Sequence, residues 1–248
     1  MFDLASIRKT TTSAPIILCY GTSGVGKTTF ASQAPAPVFL QTEQGEGRLT
    51  LDAFPLVESF DDVLTALANL IEQDHAYKTL VIDSLDHLEN HIHAATSKEG
   101  GKDNIEAFGY GKGYVLASEK WRTLTRALTT LRSRRDMTIV LIAHAHIRRH
   151  MDPTSEAYDR YEPKLHKLAS AWMQESCDIV GFARHVVKIQ KDASAFGSRA
   201  RAVGTGTREL CLSEAPAYLA KNRHGLPESV DLDWSAFSQA LTNSTAKE

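Results

Sequence analysis

The fold is decided by the stretch Pro15-Ile16-Ile17-Leu18-Cys19-Tyr20 followed by Gly21-Thr22-Ser23-Gly24-Val25-Gly26-Lys27-Thr28. The apolar run is typical of a buried strand. The residues after it match the pattern G-x-x-x-x-G-K-[ST] in full. Its glycines let the backbone curl, so that successive N–H groups and the start of the next helix face one point. The stretch therefore predicts a strand, a phosphate-binding loop and a helix.

Each part of this loop has a predicted task. Lys27 is expected to reach the β- and γ-phosphates of a nucleotide, and the Thr28 hydroxyl is expected to bind Mg²⁺. A chance match in a glycine-rich turn is the alternative, and the strand before and helix after the loop argue against it. The residues predicted to bind the nucleotide are Gly21, Thr22, Ser23, Gly24, Val25, Gly26, Lys27, Thr28 and Thr29.

A second apolar strand ends on a carboxylate. Thr79–Ile82 leads into Asp83 and Ser84, which is how a strand delivers an acidic side chain to the metal opposite a phosphate loop. Asp83 is the predicted Mg²⁺ ligand. Asp83 or Ser84 could also cap the predicted helix Leu85–Ala95, and both roles are compatible.

Glu43 is the best candidate to orient or deprotonate the attacking water. It follows the predicted strand Val38–Gln41, and Gln44-Gly45 allows a sharp turn after it. Hydrolysis of a phosphate needs such a group. Glu46 is the alternative, and a solvated loop carboxylate is the simpler interpretation of either residue.

The composition limits the classes of protein to which the chain can belong. A chain of 248 residues that is 42% hydrophobic with a net charge of −2 fits one domain and excludes histone-like or membrane-surface proteins. Cys19, Cys177 and Cys211 lack C-x-x-C spacing, which favours a reducing cytosol over disulfides or zinc. We expect one domain over 1–248, with an N-terminal segment at 1–13 and a flexible tail at 242–248, and no membrane span.

Strand and helix patterns alternate along the chain. A further strand is predicted at Thr138–Ala143, and helices are predicted at Asp61–Asp74 and around Trp121–Leu131. This alternation predicts an α/β fold with a mostly parallel sheet and helices on both faces. The end of the chain differs: its alternating strands predict a C-terminal antiparallel extension closed by a short helix, at Asp178–Lys191, Arg199–Leu212 and Asp233–Leu241.

The order of these features resembles RecA-type recombinases rather than AAA+ motors or small-molecule kinases. In the RecA and KaiC-like group, the catalytic glutamate follows the strand after the phosphate-loop helix, as Glu43 does here, whereas Asp83 is followed by Ser84. The chain is most similar to short phage-encoded RecA-like P-loop ATPases that assist single-strand annealing. That resemblance rests on Gly21–Thr28, Gln41–Gly45, Leu80–Ser84, Tyr110–Tyr114, Ile142–His146 and Lys221–Leu226.

The resemblance implies two further site elements. His144 takes the place of the polar residue that senses the γ-phosphate in RecA-like proteins, with His146 as its competitor and a structural histidine as the simpler interpretation. Lys221 and Arg223 resemble the K-x-R pair that KaiC-like ATPases insert into a neighbouring subunit's site. As isolated residues they would be ordinary solvated charges.

Two predicted loops combine cations, aromatics and flexible backbone, which single-strand binding uses. They are Thr96–Tyr114 and Ala145–His166, and RecA-like proteins place their DNA loops at these positions. Four acidic residues reduce the positive charge of the second loop. The nucleic-acid candidates are Tyr110, Lys112, Arg148 and Arg149.

The leading hypothesis is thus an ATPase that needs ATP and Mg²⁺ and binds single-stranded DNA during recombination or annealing. The resemblance implies a homo-oligomer, as a ring or a filament, in the cytoplasm of a bacterium, phage-encoded and accompanied by a single-strand-binding protein. The alternative is a KaiC-like regulatory ATPase that acts on a protein partner. A P-loop kinase is the weakest hypothesis, since Glu43 and the K-x-R pair have no evident role in a kinase.

Overall fold

The computed structural model describes residue 3 and residues 13–45, 49–154, 156–192 and 199–245, with only the backbone at 188–192, 199–203, 205 and 245. Most of the predicted N-terminal segment, the alternative Glu46, and residues 246–248 of the predicted tail lie outside the described residues. The strands are β1 Ile16–Gly21, β2 Pro37–Gln41, β3 Thr79–Asp83, β4 Thr138–His150, β5 Tyr158–Pro163, β6 Ile179–Asp192, β7 Arg199–Cys211, β8 Lys221–Asn222 and β9 Ser229–Asp231. The helices are α1 Lys27–Ser32, α2 Phe60–Glu72, α3 Leu85–Glu99, α4 Lys112–Arg135, α5 Lys167–Ser176 and α6 Trp234–Thr245, with a 3₁₀ helix at Ile105–Phe108.

The centre of the molecule is a parallel sheet in the order β2-β3-β4-β1-β6. Gly21 at the end of β1 pairs with His144 on one side and Ala183 on the other. Asp83 at the end of β3 pairs with Gln41 at the end of β2. Because parallel strands end at one edge, the register brings the phosphate loop, Asp83 and His144 together.

The sheet is covered on both faces. Alternate residues of β1 belong to two separate cores: Leu18 and Tyr20 face the core built by α2, α3, α4 and α5, whereas Ile17 and Cys19 face the core that contains residues of α1 and α6. This alternation follows from the period of two in a strand. No helix in the described part of the chain is long and apolar enough to cross a bilayer.

The C-terminal part extends the sheet with antiparallel strands. β7 pairs with β6, with an irregular register between His185 and Val187, and β9 pairs with β7. Trp234 and Phe237 of α6 contact the ring of Phe30 in α1. The predicted α/β fold, with a mostly parallel sheet and a C-terminal antiparallel extension, is confirmed. The closing helix reaches Thr245 and so includes the start of the predicted flexible tail.

The prediction of a loop at Ala145–His166 was wrong. β4 continues beyond the parallel sheet to His150 and pairs with β5 in an antiparallel ribbon, from Ala145 opposite Pro163 to His150 opposite Tyr158. Polar residues on both faces of this ribbon conceal the alternation that marks a strand. Arg148 and Arg149 therefore lie on a regular strand.

The prediction of a flexible loop at Thr96–Tyr114 was also largely wrong. α3 extends to Glu99, the 3₁₀ helix occupies Ile105–Phe108, and α4 already begins at Lys112. The Asn104 side chain caps the 3₁₀ helix by accepting a hydrogen bond from the Ala107 N–H at 3.1 Å. Of the candidates in this segment, Tyr110 lies between two helical elements and Lys112 is the first residue of α4.

Candidate functional site

The phosphate loop joins β1 to α1 and lines a cavity of about 580 Å³. Gly24 and Gly26 have φ angles of 76° and 104°, which disfavour side chains. A Cβ on Gly26 would also lie 2.2 Å from Nη1 of Arg208. The backbone angle therefore favours glycine at position 26, and any side chain there would also displace the flexible end of Arg208.

Lys27 is buried beside the loop that it closes. Its Nζ donates hydrogen bonds to the carbonyl oxygens of Gly21 at 3.1 Å and Thr22 at 3.0 Å. Burial lowers the pKa of the Lys27 ammonium. A buried cation held only by carbonyl oxygens is suited to an anionic ligand, which supplies the compensating charge.

Thr28 and Asp83 meet opposite Lys27. The Thr28 hydroxyl donates a hydrogen bond of 2.7 Å to Oδ2 of Asp83. Burial raises the pKa of the Asp83 carboxyl, and the Thr28 hydrogen bond opposes that rise. Ser84 occupies the N-cap position of α3 without a side-chain capping bond. A hydroxyl and a carboxylate at this spacing are the donor set that Mg²⁺ prefers.

Glu43 lies just after β2 and lines the same cavity. The Ser84 hydroxyl donates to Oε1 of Glu43 at 3.0 Å, and Nδ1 of His87 lies 3.2 Å from that oxygen. The Glu43 side chain is 30% exposed, so it is anchored at one oxygen and still accessible to water. It thus presents a hydrogen-bonded carboxylate to the cavity.

His144 completes this group from the neighbouring strand. Its Nδ1 lies 3.0 Å from Oδ2 of Asp86, and its backbone N–H donates to Oδ1 at 3.0 Å. Burial alone would raise the pKa of Asp86, but the hydrogen bonds from His144 lower it to about 2. The same contact raises the pKa of His144. The Asp86 carboxylate therefore fixes the orientation of the imidazole.

A smaller cavity of about 220 Å³ lies next to Asp86. His146, the alternative to His144, lines this second cavity rather than the first, and burial lowers its pKa. Glu89 is 8% exposed there, and both its carboxylate oxygens lie 3.0 Å from the His166 N–H. Burial raises the pKa of Glu89 from 4.5 to about 7.

Glu89→Gln is expected to stabilise the protein at alkaline pH. The folded protein holds the Glu89 proton up to about pH 7, whereas the unfolded chain releases it near 4.5, so wild-type stability falls as pH rises between these values. The amide oxygen of Gln can still accept the His166 N–H. The gain in unfolding free energy at about pH 8 is at most ~3 kcal/mol and vanishes below about pH 4.5. Urea unfolding at both pH values measures it, and equal stability at pH 8 would contradict the assignment.

Lys221 and Arg223 do not line the nucleotide cavity. Lys221 Nζ donates to the carbonyl oxygens of Gln174 at 2.6 Å and Cys177 at 2.7 Å, at the C-terminal end of α5. Arg223 donates to the Glu175 carbonyl at 3.1 Å. Within the chain both cations therefore cap a helix, and their role in a neighbouring subunit stays a prediction.

The four nucleic-acid candidates lie outside the cavity. Tyr110 is fully exposed. Arg148 lies 3.5 Å from Glu162, and Arg149 lies 3.8 Å from Asp159. The stacked rings of Tyr114 and His166, with centroids 3.8 Å apart, connect the two predicted DNA segments. The ring stack brings the two segments together, whereas the ion pairs compensate the charge of both arginines.

Sequence reasoning missed three residues of the site: Asp86, His87 and Arg208. The first two lie in the first turn of α3, one residue after Asp83-Ser84, a position that the strand pattern could have marked. Nη1 of Arg208 donates to the Val25 carbonyl oxygen at 3.1 Å. No local signal in the sequence indicates that contact, because it joins β7 to a loop far away in the chain.

Comparison with known proteins agrees with this geometry. The model of one protein family, described as an AAA domain, matches residues 13–224. A search of curated proteins found no match. The matched residues include the phosphate loop, Glu43, Asp83 and His144, which the structure brings to one cavity.

Proposed function

The chain belongs to the AAA domain family, and from that premise we propose that it is an ATPase whose Mg²⁺-dependent turnover is coupled to single-stranded DNA in recombination or annealing. One observation carries the ATPase part. Lys27, Thr28, Glu43, Asp83 and His144, from four separate segments, line a single cavity.

Glu43 performs the proton transfer in this proposal. Its carboxylate accepts a proton from water as the water oxygen bonds to the γ-phosphorus, and the bond from that phosphorus to the β–γ bridging oxygen breaks. ADP and inorganic phosphate are the products. The Ser84 hydrogen bond to Oε1 orients the carboxylate, which leaves its other oxygen for the water.

Lys27, and the Mg²⁺ that Thr28 and Asp83 would hold, compensate the negative charge of the phosphates. Lys27 neutralises the phosphate oxygens from its buried position, where the low dielectric strengthens the attraction. Thr28 and Asp83 would hold Mg²⁺, which supplies neutralisation of the charge that develops on the transferred group. His144 lines the same cavity and is held in place by Asp86.

β4 connects this cavity to the proposed DNA surface. His144 ends the part of β4 that pairs with β1, and the same strand continues without interruption to Arg148 and Arg149. A change at the γ-phosphate that moves His144 would therefore move the ribbon. The exposed Tyr110 supplies a stacking surface of the kind that single-strand binding uses.

The position of Glu43 supports a RecA-like arrangement within this P-loop class. The family's description names an AAA domain, whereas the resemblance in sequence points to RecA-type recombinases. Both descriptions are of P-loop ATPases, and the matched range 13–224 contains the phosphate loop and Asp83. They differ over the glutamate, and Glu43 after β2, with Ser84 rather than a glutamate after Asp83, favours the RecA-like arrangement.

A second candidate function is regulation of a protein partner, as in KaiC-like ATPases. The observation that favours it is the exposure of apolar side chains on the ribbon, just after β4 and on α4: the exposed fractions of Ile147, Met151 and Val115 are 62%, 77% and 62%. The carboxylates beside Arg148 and Arg149 also reduce the attraction for phosphates. Such a surface suits a protein better than a nucleic acid.

Single-stranded DNA is expected to stimulate ATP hydrolysis, in a way that fades as salt rises because phosphate contacts release counterions. The measurement is steady-state ATPase activity with Mg²⁺ at low salt, with and without an oligonucleotide. Arg148→Ala combined with Arg149→Ala should remove the stimulation, whereas Arg134→Ala, at an exposed position near the end of α4, serves as the control. If DNA does not stimulate ATP hydrolysis at low salt, the DNA proposal is rejected and the protein-partner function is left.

The proposed homo-oligomer has a separate test. Lys27→Ala and Arg223→Ala are each expected to be inactive if Arg223 acts in a neighbouring subunit. A mixture of the two then recovers part of the activity, because some interfaces combine an intact loop with an intact arginine. A mixture no more active than its components would show that Arg223 serves only to cap α5.

A further inference from the structure

Three side chains with metal-binding atoms converge where the nucleotide cavity, lined by Glu43 and His144, adjoins the smaller cavity lined by His87. Glu43, His87 and His144 come from the loop after β2, the first turn of α3 and β4. One ligand atom of each lies within 4.8 Å of the ligand atoms of the other two. Elements far apart in the sequence thus deliver two imidazoles and a carboxylate to one point.

One pair in this cluster already has the separation of two ligands on a shared ion. Nδ1 of His87 lies 3.2 Å from Oε1 of Glu43. Two atoms bound to one tetrahedral Zn²⁺ at about 2.0–2.1 Å lie about 3.3 Å apart. An ion can therefore bind this pair with little change in its spacing. It requires that the His144 imidazole approach and that His87 Nδ1 give up its 3.0 Å contact with the Ser84 hydroxyl.

Asp86 holds the His144 imidazole in one orientation, as carboxylates do for histidines that bind metals. Its carboxylate oxygens lie 3.0 and 3.2 Å from Nδ1 of His144, and its side chain is only 4% exposed. A carboxylate that accepts the proton of one ring nitrogen leaves the other nitrogen with its lone pair free for a metal. Because Asp86 directly precedes His87 in α3, one helix positions both imidazoles.

The cluster is also accessible. The side chains of Glu43, His87 and His144 are 30%, 38% and 25% exposed, so an ion can enter from solvent. Three protein ligands leave a fourth tetrahedral position for water or a phosphate oxygen, as in catalytic zinc sites. The Thr28 and Asp83 pair, by contrast, offers only oxygen atoms.

We propose that Glu43, His87 and His144 form a binding site for a divalent transition-metal ion of the Zn²⁺ class, separate from the Mg²⁺ position at Thr28 and Asp83. Imidazole nitrogen favours zinc, cobalt and related ions over Mg²⁺, which prefers oxygen. The ligand types thus allow the two ions to be told apart.

A regulatory consequence follows, and this part rests on the proposed function. A metal ion bound at Oε1 withdraws electron density from the Glu43 carboxylate, so its other oxygen accepts a proton from water less readily. Free Zn²⁺ should therefore inhibit ATP hydrolysis at constant Mg²⁺. The cluster would then make turnover depend on the concentration of transition metals.

Binding is tested directly on the nucleotide-free protein. Co²⁺ titration, followed by visible absorption, and equilibrium dialysis with Zn²⁺ are expected to show one ion per chain. Asp86→Asn should weaken binding about 10–100-fold, because the carboxylate that orients His144 is lost, and His87→Ala should weaken it further. His91→Ala, one turn along α3 and outside the cluster, is the matched control, and Lys27→Ala and Asp83→Asn should both retain the ion.

Two outcomes would overturn the site: absence of stoichiometric binding, or binding that survives His87→Ala. Loss of the ion in Asp83→Asn but not in His87→Ala would place it at the Mg²⁺ position instead. These readouts need no hydrolysis, so failure of the ATPase proposal would leave them interpretable. In the activity assay, with free Zn²⁺ set by a metal buffer, any turnover that His87→Ala retains should be insensitive to zinc.

Discussion

Glu43→Gln is expected to lower the turnover number for ATP by about 10²–10⁴-fold, the usual contribution of a general base, while ATP affinity changes little. The amide cannot accept the proton of water, but its oxygen can still accept the hydrogen bond from Ser84. The cavity should therefore keep its shape. Steady-state hydrolysis and titration with a fluorescent ATP analogue measure the two quantities separately.

The matched control is Glu72→Gln, which alters an exposed carboxylate at the end of α2 and should leave both quantities unchanged. Turnover at the wild-type level in Glu43→Gln would mean that another group activates the water. Glu46 would then be the next residue to replace. A large loss of ATP affinity would instead assign Glu43 to binding rather than to proton transfer.

Lys27→Ala is expected to reduce hydrolysis by at least ~10²–10³-fold, because a preorganised charge on the transferred phosphate is removed. Nucleotide binding should weaken as well. Addition of Mg²⁺ and ATP raises the melting temperature of a protein in proportion to the logarithm of ligand over Kd. Wild type and Glu43→Gln should both show this rise, and Lys27→Ala should show little of it.

The fold should tolerate the loss of Lys27. Its ammonium is buried and its pKa is lowered by that burial, so its removal relieves a desolvation cost while it deprives two carbonyl oxygens of a donor. Lys78→Ala, at an exposed position before β3, is the control. If Lys27→Ala hydrolysed ATP normally, the phosphate-loop assignment would be wrong.

Local sequence patterns were sufficient to predict the centre of the site. The phosphate loop carries its own glycines, and β3 was predicted at Thr79–Asp83, as found. Glu43 could be placed because a short apolar strand ends just before it. In each case the information lies within a few consecutive residues, and the parallel sheet then brings the strand ends to one edge.

The rest of the fold and site could not be predicted, because it depends on contacts between segments far apart in the sequence. The Asp86–His144 pair joins the start of α3 to β4. No pattern near either residue indicates that the two side chains are in contact. The ribbon of β4 and β5 was mistaken for a loop because its arginines and carboxylates occupy both faces. Lys221 resembled a residue that acts on a neighbour, but its three accepting carbonyl groups at the end of α5 appear only once the chain is folded.

The contact between Arg208 and the phosphate loop limits how far this chain can be shortened. Arg208 belongs to β7, yet it donates to the Val25 carbonyl and fills the space beside Gly26. The rings of α6 also pack against Phe30 of α1. A fragment that stops after the parallel strands would keep every residue of the phosphate-binding pattern. It would nevertheless expose Phe30 to water and remove a support beneath the loop, so the smallest unit that binds nucleotide should extend into α6.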